Sequence, residues 1–119
     1  MKPKYLEKYP HIFTPLTVGA KGREITFKNR LMVAPLEAPA GCDFNGRLID
    51  SGIDFYAAFI KGGFSAYSVT MEIPHNAGHP RGLVIDSEEN VAFSDCHKLH
   101  RLVHSYNGIS LLELTHPGF

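Results

Sequence analysis

The run Leu31-Met32-Val33-Ala34 is apolar throughout and stops at Pro35. A continuous apolar run of this length suits a parallel strand buried on both faces. The proline has no N–H to give to a ladder and is expected to end the pairing. After a loop containing Gly41, Asn45 and Gly46, the residues Ile49, Ile53, Tyr56, Ala57 and Ile60 recur at helical spacing. They lay one apolar stripe along a helix. Asp50 and Ser51 lie near its start, where N-caps belong, and Gly62 just past its end. Phe64 to Met71, rich in aromatic and β-branched residues, reads as a second strand.

On the N-terminal side, Leu16 to Val18 and Glu24 to Phe27 flank Gly19-Ala20-Lys21-Gly22 and read as a small hairpin. On the C-terminal side, Pro74 to Pro80 is a loop. A second helix is expected over roughly 89–107, with Ala92, Cys96, Leu99, Val103 and Tyr106 as its apolar stripe and Gly108 as its stop. Ile109 to Leu114 is a third strand, interrupted by Glu113. The order is hairpin, β, α, β, α, β. It predicts an α/β fold: a parallel sheet with right-handed crossovers, strands near residues 31–35, 64–70 and 109–114, and helices near 50–61 and 89–107. Three parallel strands bury little and leave both sheet edges open. No helix follows the third strand, so the chain reads as the front part of something larger.

Composition sets the class. Hydrophobic residues make up 44% and charged residues 20% of 119 residues, the make-up of one folded domain. Twelve basic residues balance twelve acidic ones, so no global field attracts nucleic acid or an anionic membrane. The seven histidines would make the chain net positive below about pH 6. Two distant cysteines, Cys42 and Cys96, argue against a disulfide framework and for a reducing cytoplasm. Met1 to Pro10 lacks the apolar stretch of a signal peptide, and no apolar run approaches the roughly 20 residues that span a bilayer. A soluble, cytoplasmic protein is expected.

Several stretches together resemble one family. Phe13-Thr14-Pro15-Leu16-Thr17-Val18-Gly19 is similar to the opening of the flavin-dependent Old Yellow Enzyme and 2,4-dienoyl-CoA reductase family, and Lys28 to Leu36 to its first barrel strand. Ile53 to Ala58 with Lys61-Gly62-Gly63 resembles the helix ending in a glycine pair. Leu102-Val103-His104 and then Glu113-Leu114-Thr115-His116-Pro117-Gly118 resemble the approach to the third strand and its Gln-Leu-x-His-x-Gly ending. The resemblance runs from about His11 to the end and is carried by order and spacing rather than by any one motif. It implies the N-terminal part of a TIM (β/α)8 barrel, a hairpin plus about three β/α units, with residues 1–119 forming a partial flavin-binding domain. A full barrel takes about 250 residues.

The resemblance also implies a site. FMN would lie across the C-terminal ends of the strands, take a hydride from NADH or NADPH and pass it to an activated carbon–carbon double bond of an enoyl or enoate substrate. Ala34, Pro35, Leu36 and Glu37 would line the isoalloxazine at the first-strand exit. The second-strand exit falls near Thr70 and Met71, where Phe64-Ser65-Ala66-Tyr67 is bulkier than the family's usual small residues. Glu113 would read the pyrimidine edge in place of a glutamine. A glutamine amide both donates and accepts, whereas an ionised glutamate only accepts and would repel the charge on a reduced flavin. Such a site would hold Glu113 protonated or lower the flavin's reduction potential; the plainer reading is a carboxylate meeting water. His116 is either a site-lining residue at the barrel mouth or a turn residue. The catalytic proton donor, the phosphate-binding loops and the cysteines that hold an iron–sulfur cluster in larger members would all follow Phe119.

Other candidates are weaker. His97, His100 and His104 share a helix face, but no carboxylate completes a metal-ligand set, and no metal site is expected. Cys42 reads as an ordinary loop cysteine and Cys96 as core. Lys61-Gly62-Gly63 lacks phosphate-loop spacing. The first functional expectation is an FMN-dependent NAD(P)H oxidoreductase represented by an N-terminal portion that is inactive alone. The alternative is a non-catalytic gene remnant, or a split half that needs a separate C-terminal partner.

Overall fold

Residues 3–36, 41–43, 45–72, 83–84 and 91–115 are described by the computed structural model. Its elements are α1 (Pro3–Lys8), a 3-10 turn (Pro10–Phe13), β1 (Leu16–Val18), β2 (Ile25–Phe27), β3 (Met32–Leu36), α2 (Asp50–Lys61), β4 (Ala66–Glu72), β5 (Leu83–Val84), α3 (Val91–Ser105) and β6 (Ile109–Thr115). The hairpin forms as expected, with β1 and β2 antiparallel and Leu16 opposite Phe27. The two short N-terminal helices were not anticipated, since Pro3–Lys8 and Pro10–Phe13 carry no apolar stripe long enough to read.

β4 is the middle strand. β6 runs parallel along one edge, from Ala66 opposite Ile109 to Glu72 opposite Thr115. β3 takes the other edge, parallel, with Met32 opposite Ala66 and Val33 opposite Tyr67. Beyond it, β5 pairs in parallel with Met71 and Glu72. This fourth strand was not predicted, because two residues are too few for a pattern. Pro35 does not end β3, contrary to expectation. Between the Val33–Tyr67 and Leu36–Val69 pairs the register shifts, β3 carrying one residue more than β4. Pro35 sits in this bulge, where its missing N–H breaks no ladder bond.

Both long helices pack on one face of the sheet. Val33 of β3 and Tyr67, Val69 and Met71 of β4 meet Tyr56 and Ile60 of α2 and Cys96, Leu99 and Val103 of α3 in one buried cluster. The long strands β3, β4 and β6 lie in chain order, while β5 pairs on the β3 side of β4. Leu112 and Leu114 lie opposite Val69 and Met71, and so on the helix side, yet are 44% and 59% exposed.

Helix ends differ in detail from the sequence reading. The N-cap of α2 is Ile49, and no side chain caps it. Ile49 is tied down instead by its own N–H, which donates to the Gly41 carbonyl at 3.0 Å. Gly52, one turn in, lies so close to that carbonyl that a Cβ would collide with it. At the C-terminus Gly62 is the C-cap, as expected, and the left-handed residue is Gly63, at φ 107°. Its N–H donates to Ile60 O at 3.0 Å and the Phe64 N–H to Phe59 O at 3.1 Å. The Phe59 and Phe64 rings close the motif edge to face at 5.8 Å. Phe64 is therefore part of the cap, and β4 starts later than expected.

The end of α3 repeats the device, with Asn107 at φ 53° as the left-handed residue. Gly108, expected as the stop, is instead needed for room: a Cβ there would lie 2.9 Å from Val103 Cγ1 and 3.1 Å from Ile60 Cγ2. Tyr106 falls in this turn and is exposed, not part of the buried stripe.

The N-terminal ends of the strands are stitched by side chains just before β3. Asn29 is buried; its amide donates to Gly63 O at 2.8 Å, and its carbonyl accepts the Leu31 N–H at 3.0 Å. Lys28 Nζ donates to Tyr106 O at 2.9 Å. Among the described residues no helix is long and apolar enough to cross a membrane.

Candidate functional site

The C-terminal ends of β3, β4 and β6 lie side by side because the strands are parallel and in register. On the face away from the helices, alternation presents Ser68 and Thr70 from β4 and Leu111 and Glu113 from β6. Thr70 and Glu113 are direct register partners, and the Thr70 hydroxyl donates to Glu113 Oε2 at 2.9 Å. Thr70 is buried and Glu113 exposed, so the pair carries a carboxyl from the sheet to the surface at the strand ends.

At the end of β3, Ala34, Pro35 and Leu36 are all exposed. The Leu36 carbonyl accepts a hydrogen bond of 2.9 Å from the Tyr56 hydroxyl of α2. Tyr56 was read only as part of the helix stripe. The available signal was its type, since a buried tyrosine hydroxyl normally finds a partner.

Met71 is not on this face. It is 1% exposed on the helix side, with the Cys96 thiol 3.9 Å from its sulfur. Adjacent strand residues point to opposite faces, so Thr70 and Met71 could not both offer side chains to one ligand. Glu37 and His116 lie outside the described residues.

Cys42 follows the β3 exit and bridges to Leu48 in a short antiparallel contact. Burial first, and the neighbouring Asp43 second, push its thiol up to about 11. A thiol so held is a poor nucleophile at neutral pH. On α3, burial, then His104, then His97 lower the His100 pKa below its ordinary 6.5. Among the described residues no group of three or more His, Cys, Asp or Glu side chains could hold a metal ion. Two buried polar atoms among these residues lack a hydrogen-bond partner, Tyr67 Oη and His100 Nδ1. Burial, then Cys96 and Tyr56, raise the Tyr67 pKa, so its phenol stays protonated.

The Glu113 carboxyl can accept an N–H from a ligand at the strand ends, beside the exposed end of β3.

No protein-family model matches this chain. No characterised protein matches it in sequence. Its fold is similar to that of solved old yellow enzymes. The old yellow enzyme homologue from Zymomonas mobilis superposes with a TM-score of 0.69 at 21% identity, over 88% of this chain and 28% of that one. A variant of the Zymomonas mobilis protein gives 0.71 at 22% identity, over 92% of this chain and 33% of that one. The old yellow enzyme from Trypanosoma cruzi gives 0.70 at 23% identity, over 93% and 28%. At these identities the likeness shows the fold, and the chain spans about a third or less of the length of these structures.

Proposed function

We propose that the chain is the N-terminal portion of an FMN-dependent NAD(P)H oxidoreductase of the Old Yellow Enzyme type, acting on enoyl- or enoate-type double bonds. The observation that carries this reading is the superposition on old yellow enzymes over 92% of the chain, with Glu113 at the end of β6 where the sequence resemblance puts the flavin edge. FMN, when bound, supplies the redox chemistry, accepting hydride from a reduced nicotinamide and delivering it to the substrate. The chain's own residues hold and orient: Glu113 accepts the pyrimidine N–H, and Ala34, Pro35 and Leu36 line the ring. The remaining strands would complete a (β/α)8 barrel and bring the phosphate anchor and the proton donor.

The exposed Leu112 and Leu114 favour a second reading, a split half that needs a C-terminal partner to cover that face. FMN titration of the 119-residue chain, followed by NMR, tests the first. The expected result is weak binding, no tighter than about millimolar, because the phosphate anchor belongs to the remaining strands, with shifts centred on Ala34, Leu36, Thr70 and Glu113. Shifts confined to the helix side would sink it. Adding a separately made piece carrying strands four to eight, and recovering a yellow complex on gel filtration, would establish the second.

A further inference from the structure

We propose that Thr70 is a positioning residue, whose hydroxyl holds Glu113 Oε2 so that Oε1 is turned to accept an N–H from the ligand at the strand ends. The inference rests on the flavin reading for the identity of that N–H, the pyrimidine N–H of FMN.

Three observations converge. The register places Thr70 and Glu113 directly opposite each other on neighbouring strands, within a run of seven consecutive pairs from Ala66–Ile109 to Glu72–Thr115. Their contact is thus dictated by the sheet. Thr70 is 9% exposed, and a buried hydroxyl needs a partner; here that partner is Glu113, at 2.9 Å. In that bond the hydroxyl donates and the Oε2 oxygen accepts.

The asymmetry of burial gives the pair its use. Glu113 is exposed, and a free glutamate side chain samples many rotamers that binding must then freeze. Threonine is β-branched and stiff at χ1, so it presents its hydroxyl in a fixed direction from the centre of the sheet. One carboxyl oxygen is anchored from below, and the other is left with a restricted direction of approach. Thr70 therefore acts through Glu113 and does not itself touch the ligand.

The test uses the 119-residue chain with its glutamate carboxyl carbons labelled with carbon-13, and FMN added to several millimolar. In the parent chain FMN should shift the Glu113 carboxyl signal. Thr70→Val, which keeps the shape, should move that signal before FMN is added and weaken FMN binding about three- to tenfold, the scale of one lost hydrogen bond. Thr70→Ser, which keeps the hydroxyl, should stay within about twofold of the parent. In a Glu113→Ala background, Thr70→Val should change FMN affinity by less than about twofold.

An unmoved Glu113 signal in Thr70→Val would overturn the proposal. So would a Thr70→Ser chain as impaired as Thr70→Val, or an undiminished Thr70→Val effect in the Glu113→Ala background. If Thr70→Val fails to fold, Thr70→Ala, read in the same way, carries the same decision. An FMN titration that leaves Glu113 untouched in the parent, while Thr70→Val still moves its signal, would instead overturn the flavin reading and leave the pair intact.

Discussion

The Tyr56 hydroxyl of α2 donates to the Leu36 carbonyl at the end of β3, at 2.9 Å. The residue that anchors α2 in the core thereby braces the strand exit, just where the bulge at Pro35 disturbs the ladder. The Tyr56 ring lies against Tyr67 of β4, with centroids 5.3 Å apart, so its hydroxyl is held by packing on a second strand. Tyr56→Phe keeps the ring and removes the bond. The expected loss is about 1 kcal/mol of stability, seen as a lower urea midpoint with an unchanged slope. NMR shifts should centre on Leu36 and its neighbours; a variant as stable as the parent would mean that water replaces the hydroxyl.

Asn29 should matter more. Its side chain makes two bonds, to Gly63 O and from the Leu31 N–H, and is 7% exposed. Asn29→Ala leaves both half-buried backbone groups short of a partner, and about 2–3 kcal/mol should be lost. Asn29→Asp keeps the acceptor and loses only the donor, so its urea midpoint should fall between those of Asn29→Ala and the parent.

Stability should depend on pH through His100. Its folded pKa lies below the ordinary 6.5 because of burial, His104 and His97. The unfolded chain therefore binds the proton first, and stability rises with pH wherever the unfolded state carries more protons. The contribution should be fully present above pH 6.5, fall as the pH drops below it, and level off beneath the lowered folded value. Urea midpoints of the parent and His100→Gln across pH 5 to 8 check this: the parent should lose more on acidification than the variant.

Cys42 should label slowly. With its thiol pushed up to about 11, the reactive thiolate is scarce at pH 7 and grows about tenfold per pH unit until that value is neared. Iodoacetamide rates measured from pH 7 to 10 should show that slope, and Asp43→Asn should raise the rate modestly by removing one of the two causes. Fast alkylation at pH 7 would contradict the buried setting.

On the proposed reading, and if Glu113 is ionised there, Glu113→Gln should raise the flavin's reduction potential in a form of the protein that retains flavin. The glutamine removes a carboxyl from the pyrimidine edge, and a charge there at partial screening is worth about 1 kcal/mol or more. The shift should be tens of millivolts, read by equilibration with a redox dye. An unchanged potential would mean that the replacement of glutamine has no electronic effect.

The parallel β/α succession was legible because each unit writes its own pattern. Tyr56, Ala57, Ile60, Leu99 and Val103 follow from helical spacing and are all buried, but the apolar run of β3 is buried on one face only, with Val33 inside and Met32 and Ala34 exposed. The face of Glu113 also followed from alternation. What could not be read depends on contacts between distant residues. Tyr56 and Leu36 meet through the packing of a helix on a strand, and Thr70 meets Glu113 only once the register between β4 and β6 is set. Met71 shows a related limit: naming a strand exit by sequence neighbours does not say which face each side chain takes. The bulge escaped notice because Pro35 reads as a stop until the pairing beyond it is seen.

The chain-order succession of β3, β4 and β6 bears on how the protein is made. Each long strand pairs with the next long strand along the chain, and the helix between them covers the face they share. A ribosome would release β3, α2 and β4 as one unit able to pair before α3 and β6 emerge, so assembly can follow synthesis without waiting for a distant segment. Leu112 and Leu114 then belong to β6, the last of these three strands to emerge.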